Sequence, residues 1–473
     1  MDLKTAVRFK IHDLVHDLVH DLAISVAQVE YSTVNNFRPS SAFEKVRIVS
    51  ISGDDFSGEE AQVPKFMLQS SKLRTIVMLS DVQISVAQVE YSTVNNFRPS
   101  SAFEKVRIVS ISGGDFSGEE AQVPKFMLQS SKLRTIVMLS DVQMKRYFVK
   151  TCILRCKCIR VLNLSGSPLE ELPSSIGSLC HLRFLDLSCN GKIKRLPSSI
   201  RKLLNLESLN LSECPLLVEM PKEIWNLINL RNLEITTQQM YLPKGIRSLT
   251  LLQSLHFEGC VILHSLGEEI QFLTNLRKFW VTSCQNLEFL PPNMKHLTTL
   301  DTLFIRECGK LKLMSSVEGP QGLRSIGIAY SDLDALPRWH DSIETLQSLG
   351  LGQCDNLTVL PGLENFKFLE QLVIKDCFKL LALPQGLHRL TELKELKIIG
   401  CRELSKSCKR QLKGEDWSKM ARHANITLDS DVDTDDEEDA EDDEGAFDDE
   451  RPTMGCAGGA AAQGLRVLCT YYW

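Results

Sequence analysis

From residue 159 onward the apolar positions follow one spacing. The pattern L-x-x-L-x-L, with Ile, Val or Phe replacing some leucines, begins at Ile159, Leu182, Leu206, Leu230, Leu252, Leu276, Leu300, Leu323, Leu346, Leu369 and Leu393. The eleven registers lie 22 to 24 residues apart. Alternation over the last positions of each register predicts a short strand with one face buried. Between registers, stretches such as LEELPSSIGSL and IKRLPSSIRKL place a proline after a buried Leu, then apolar residues three apart. They predict a bend followed by a short return segment. In each strand the residue between the two template residues points to the other face. That column reads Asn163, Asp186, Asn210, Glu234, His256, Trp280, Phe304, Gly327, Gly350, Val373 and Lys397.

The period and the template are those of a leucine-rich repeat, one strand and one return segment per turn of a stack. The expected fold is therefore α/β, a leucine-rich-repeat solenoid. Its curved parallel sheet lines the concave face, and short helical or irregular segments return along the other side. Three positions after the last template residue, seven repeats carry a cysteine (Cys214, Cys260, Cys284, Cys308, Cys354, Cys377 and Cys401), and Asn190 fills the slot in an eighth. The chain turns inward there, so a small buried side chain is required, and Cys serves as a small hydrophobe with a weak donor. These thiols are expected to be buried and unpaired. Cys152, Cys156 and Cys158 in CILRCKC have no second ligand pair at zinc-finger spacing.

Upstream, Val46-Arg-Ile-Val49-Ser-Ile51 and Leu73-Arg-Thr-Ile76-Val-Met78 read as further strands, repeated at Val106 and Leu133. They repeat because residues 24–83 recur at 84–143 with one difference, Asp54 against Gly114. In the first copy the apolar start ISVAQVEYS continues a helical pattern, so 24–36 is expected to be the more regular and 84–96 the less. The expected segments are 1–36, a helical remnant; 37–158, irregular repeats; 159–428, the leucine-rich repeats; and 429–473, a tail.

Charge separates that tail from the rest. The run from Asp429 to Glu450 holds fifteen acidic residues and no basic one. Residues 1–428 carry 52 Lys+Arg against 45 Asp+Glu, a net +7, although the whole chain is −6. A block of this composition cannot bury enough apolar surface to order itself and is expected to be a disordered acidic tail. No apolar run approaches the ~18 residues of a membrane span. The N-terminus lacks the apolar region of a secretion signal. Together with fifteen cysteines, an odd number, this predicts reduced thiols and a cytoplasmic or nuclear chain.

The N-terminal run HDLVHDLVHDLA sets His12, His16 and His20 on one face of a short helix. His12-Asp-Leu-Val-His16 is one methylene short of the zinc-hydrolase helix H-E-x-x-H. Leu14, Val15, Leu18, Val19 and Leu22 form an apolar stripe, which favours a core-facing helix over a metal site. A zinc enzyme would need a third ligand and normally a Glu as base. No G-x-S-x-G elbow or dinucleotide fingerprint occurs, so no catalytic activity is expected.

FKIHDLVHDLVHDLA followed by the ELPSSIGSLCHLRFLDLSCN repeats, the cysteine-marked late repeats and GEDWSKMARHANITLD resembles plant nucleotide-binding leucine-rich-repeat disease-resistance proteins of the coiled-coil class. The resemblance covers residues 9–429. In that family a Met-His-Asp motif closes the nucleotide-binding module, and its histidine contacts the ADP phosphate. Here it reads Ile11-His12-Asp13, and the inserted HDLV leaves either His12 or His16 for that place. No G-x-x-x-x-G-K-[ST] phosphate loop is present, so His12 and Asp13 are expected to be non-functional and the chain to bind no ADP, ATP or other cofactor. The resemblance implies a recognition and regulatory part of an immune receptor. Its partners would be a pathogen effector, a modified host protein, or a receptor's nucleotide-binding module in cis or trans, with no nucleic acid and no membrane span. On this reading the chain would be a truncated product, a decoy or a gene fragment. A cytosolic scaffold of the Ras-associated type shares the LPxxIxxLxxL segment and is the alternative. Sequons at Asn163 and Asn210 fall inside strands, which argues against a secreted receptor.

The concave column nominates the partner site. Three consecutive aromatics expected to be exposed, His256, Trp280 and Phe304, flanked by Lys278 and Arg306, have the composition of an interface hot spot. The competing reading is that the rings stack across neighbouring strands and merely stabilise the sheet.

Overall fold

The computed structural model describes residues 48–52, 75–79, 107–111, 115–116, 132–138 and 143–144. It also describes 146–429, except 219, 221, 313–318, 334–335, 337–342, 361, 364–365, 385–386 and 412–423. The N-terminal run with His12 and Asp13, the two stretches 24–36 and 84–96, and the acidic tail lie outside the described residues.

Sixteen strands form one curved parallel sheet, each paired with its neighbours in chain order. The strands expected upstream of residue 159 belong to it. Ile48–Ser52 and Thr75–Leu79 come from the first copy, and Ile108–Ile111 and Thr135–Met138 from the second. Thr135–Met138 pairs with Val161–Asn163, so the duplicated units run into the regular array without a break in register. A sixteenth strand that the spacing does not announce, Asn425–Thr427, pairs with Glu395–Ile399 and ends the sheet.

The template residues build the core. Leu209, Leu211, Leu233, Ile235, Leu255, Phe257, Phe279 and Val281 are fully buried beneath the sheet. Prolines shape the return. Pro173, Pro197 and Pro243 hold φ of −61°, −70° and −63° at the entry of short 3-10 turns. Their carbonyls accept the N–H groups of Ile176, Ile200 and Ile246. Each isoleucine is buried, and its own carbonyl accepts the N–H of the following Leu179, Leu203 or Leu249. The L-P-x-x-I-x-x-L segment is thus one closed turn with its apolar residues on the core side.

Side chains tie successive repeats together. Asn205, Asn229 and Asn275 donate Nδ2 to the carbonyls of Cys180, Leu204 and Thr250 in the preceding repeat, at 2.7–2.8 Å. In the cysteine slot Asn190 donates to the carbonyls of Leu164 and Leu187, and Cys214 donates its thiol to Leu187 at 3.1 Å. The seven slot cysteines are all free and at most 1 % exposed. Burial pushes the Cys214 thiol up to about 11.

Helices close the two ends of the continuous region. Arg146–Arg155 buries Phe148, Val149, Cys152 and Ile153 against the first return turn. Arg402–Gln411 buries Leu404 and Cys408 at the other end. Asp429 latches that end, its carboxylate accepting Gly400 N at 2.8 Å, Cys401 N at 2.9 Å and Ser405 Oγ at 3.0 Å.

Candidate functional site

The parallel register assembles the column read from the sequence. Asn163, Asp186, Asn210, Glu234, His256, Trp280, Phe304, Gly327, Gly350, Val373 and Lys397 are successive partners along the sheet. Their face also carries the first and fifth positions of each strand. Acidic residues occupy it early, at Asp186, Glu234 and Glu258. Cations occupy it late, at Lys278, Arg306, Lys375 and Lys397.

The aromatic part of the column differs from expectation. His256 is 3 % exposed and Phe304 8 %, and only Trp280 is half-buried. The rings meet edge to face, His256 to Trp280 at 5.6 Å and 76°, Trp280 to Phe304 at 6.3 Å and 66°. The exposed three-ring patch is therefore corrected to a stacked row, because neighbouring strands bring the rings close enough to cover one another. His256 Nε2 lies 2.8 Å from Thr282 Oγ1, and burial pushes the imidazole down to about 4, so it is neutral at physiological pH.

Arg306 is the centre of the polar part. Its guanidinium lies 2.8 Å from the Glu307 carboxylate and 5.0 Å from the Tyr330 ring centroid. Glu258 sits nearby with its pKa pushed up to about 7, by burial first and then by Glu213, against the lowering pull of Arg306. Beyond Arg306 the floor drops. Gly327, Gly350, Ala329 and Gly352 are the next residues on this face, and a small cavity there is lined by Phe304, Arg306, Ala329, Tyr330, Gly352 and Lys375. Lys278 lies half-buried on the strand that carries Trp280.

Sequence reasoning missed the row of residues just before the slot. Cys189, Glu213, Ser283, Glu307, Tyr330, Gln353 and Asp376 all have φ between 46° and 57°, and Gly166, Gly259 and Gly400 occupy the same place at 65°, 62° and 69°. A left-handed residue is uncommon outside glycine. It turns the chain off the strand and aims these side chains along the rim, where Ser283 Oγ donates to Glu307 at 2.7 Å. The signal was available: three of the ten positions are glycine and most of the rest are polar.

Among the described residues no group of three or more His, Cys, Asp or Glu is arranged to hold a metal ion, and no helix is long and apolar enough to cross a membrane.

Residues 132–352 match the family model described as leucine-rich repeat region. The fold is a leucine-rich-repeat solenoid. A protein named as disease resistance protein RGA1 of Solanum bulbocastanum is 64% identical over 36 residues, 8% of this chain and 4% of that protein. One of Arabidopsis thaliana is 28% identical over 123 residues, 26% of this chain and 10% of that protein. The matched stretches span a tenth or less of the length of these relatives. Among solved structures, a leucine-rich-repeat protein of Leptospira interrogans has 19% identity and a TM-score of 0.41, covering 70% of this chain and 92% of that one. The functional domain of InlJ from Listeria monocytogenes, which includes a cysteine ladder, has 14% identity and a TM-score of 0.42 over 66% of each chain.

Proposed function

We propose that the solenoid is the protein-recognition and regulatory part of a plant disease-resistance receptor, and that its concave face takes a pathogen effector, a modified host protein or a receptor's nucleotide-binding module. One observation carries the reading. The face changes from acidic to basic across a rigid row of rings, with Lys278 and Arg306 at the change and half-buried Trp280 between them. Aromatic and arginine side chains held in fixed geometry are the usual anchors of a protein interface. The short, closely matched stretch shared with the Solanum protein supports the immune setting. On this reading the solenoid performs no chemistry of its own and acts without a cofactor.

The test is capture of candidate effectors, and of a coiled-coil-class nucleotide-binding module, by the purified chain. Lys278→Ala with Arg306→Ala is expected to weaken capture about tenfold or more with little loss of thermal stability. Undiminished capture by this double variant would place recognition elsewhere. Phe304→Ala is unsuitable, since removing a buried ring costs about 3 kcal/mol or more of stability.

A further inference from the structure

The basic half of the concave face has a trough that matches the acidic tail of the same chain. Between the strands Thr302–Arg306 and Gln371–Lys375 the floor is the half-buried Ala329 and Gly352, with Gly327 and Gly350 buried beside them on the same two strands. Those flanking strands are three strand spacings apart, about 14 Å. Phe304 and Arg306 wall one side and Lys375 the other. Lys397 follows, and its ion pair with Glu395 at 2.6 Å involves the only acidic residue at the outward strand positions from Lys278 to Ile399. In the turns above, Glu307 and Asp376 offset part of the charge, Glu307 through its contact with Arg306. Two donors of this face, Trp280 Nε1 and Arg306 Nε, are buried with no acceptor among the described residues. The floor is apolar and low, the walls are cationic, and Trp280 Nε1 and Arg306 Nε lack acceptors among the described residues.

The tail has the complementary composition. Its acidic run contains one large apolar residue other than Val432. Phe447 stands in Glu441-Asp-Asp-Glu-Gly-Ala-Phe447-Asp-Asp-Glu450, with seven carboxylates around it. Connectivity brings it within reach. Asp429 is fixed beside Gly400 and Cys401, at the end of the strand Glu395–Ile399. From there the trough is two to three strand spacings away, about 10–14 Å. Phe447 lies 18 residues past Asp429, and 18 extended residues span about 60 Å. A tether of this kind presents its end at an effective concentration of about millimolar, enough for a weak contact to be populated.

We infer that residues 441–450 fold back onto the trough, with Phe447 over Ala329 and Gly352 and the flanking carboxylates on Arg306, Lys375 and Lys397. The tail thereby covers the basic half of the recognition face. This does not depend on which partner that face takes, and the test contains none.

The experiment is carbodiimide coupling of the full-length chain, which joins a carboxylate directly to a lysine amine, read by mass spectrometry. Coupling of residues 441–450 to Lys375 and Lys397 is expected to exceed coupling to Lys406 and Lys409 on the terminal helix. It should fall about fivefold or more at 0.5 M salt, where charges are screened within a few ångströms. Phe447→Ala is expected to reduce it about tenfold, the loss of one buried aromatic anchor, and since the change lies in the tail it leaves the solenoid unaltered. Coupling spread evenly over all lysines, coupling only to the terminal helix, coupling found only between two differently labelled chains, or no effect of Phe447→Ala would each overturn the inference.

Discussion

At the scale of single residues, the concave face holds two ionisable groups with opposite responses to pH. Glu258 has its pKa raised to about 7, so the folded chain holds this proton more tightly than the unfolded one. Stability from this group is full below about pH 4.5 and is lost as pH rises through 7. His256 is lowered to about 4, so its contribution is present above about 6.5 and lost as pH falls through 4. Glu258→Gln is accordingly expected to raise Tm by about 2–4 °C at pH 8 and to leave it unchanged at pH 4. Calorimetry at the two values checks this, and an equal rise at both would mean that charge is not the cause. Gly400 shows the opposite kind of sensitivity. It has φ +69°, and a Cβ there would collide with the Asp376 carboxylate. Gly400→Ala should cost about 1–3 kcal/mol in urea unfolding, whereas Gly191→Ala, with open space around it, should cost little.

At the scale of elements, the repeat itself was legible and its edges were not. The L-x-x-L-x-L spacing located every strand from Val161 to Glu395, and the column of outward residues follows the observed register, because a period of two leaves no freedom once one face is buried. The closing strand Asn425–Thr427 escaped because its partner is Glu395, outside the 22- to 24-residue spacing, and the helix Arg402–Gln411 intervenes. The exposure of the rings was misjudged for a related reason. Spacing fixes which way His256 and Phe304 point, but how deeply they are covered depends on the neighbours across the sheet. The cysteine slot was readable from spacing, and it leads to a measurement. In the native chain Cys158 and Cys180 are exposed, so among the described cysteines these two should react first with a thiol reagent. Cys214, Cys260, Cys284, Cys308, Cys354, Cys377 and Cys401 should react only after denaturation. Rapid labelling of any of these seven in folded protein would contradict the packing.

At the scale of the whole molecule, each strand touches only its neighbours, so stability is close to a sum of local terms. The duplicated segment tests this directly. The strand Thr75–Leu79 has the same sequence through Met78 as Thr135–Met138, which now pairs with Val161–Asn163. Deleting residues 84–143 would let the first copy make that same junction. The shortened chain is expected to keep the melting temperature within about 3 °C, with a smaller denaturant m-value because less surface is buried. A collapse of cooperativity would show that the second copy carries more than its own two strands.

The duplication also acts as a ruler. One extra copy inserts two strands, so it displaces everything that precedes it by about 10 Å along the stack while leaving the later repeats and their rings untouched. Gain or loss of a copy, which needs only unequal recombination between near-identical stretches, would change the reach of the chain in fixed steps without any change to its recognition chemistry.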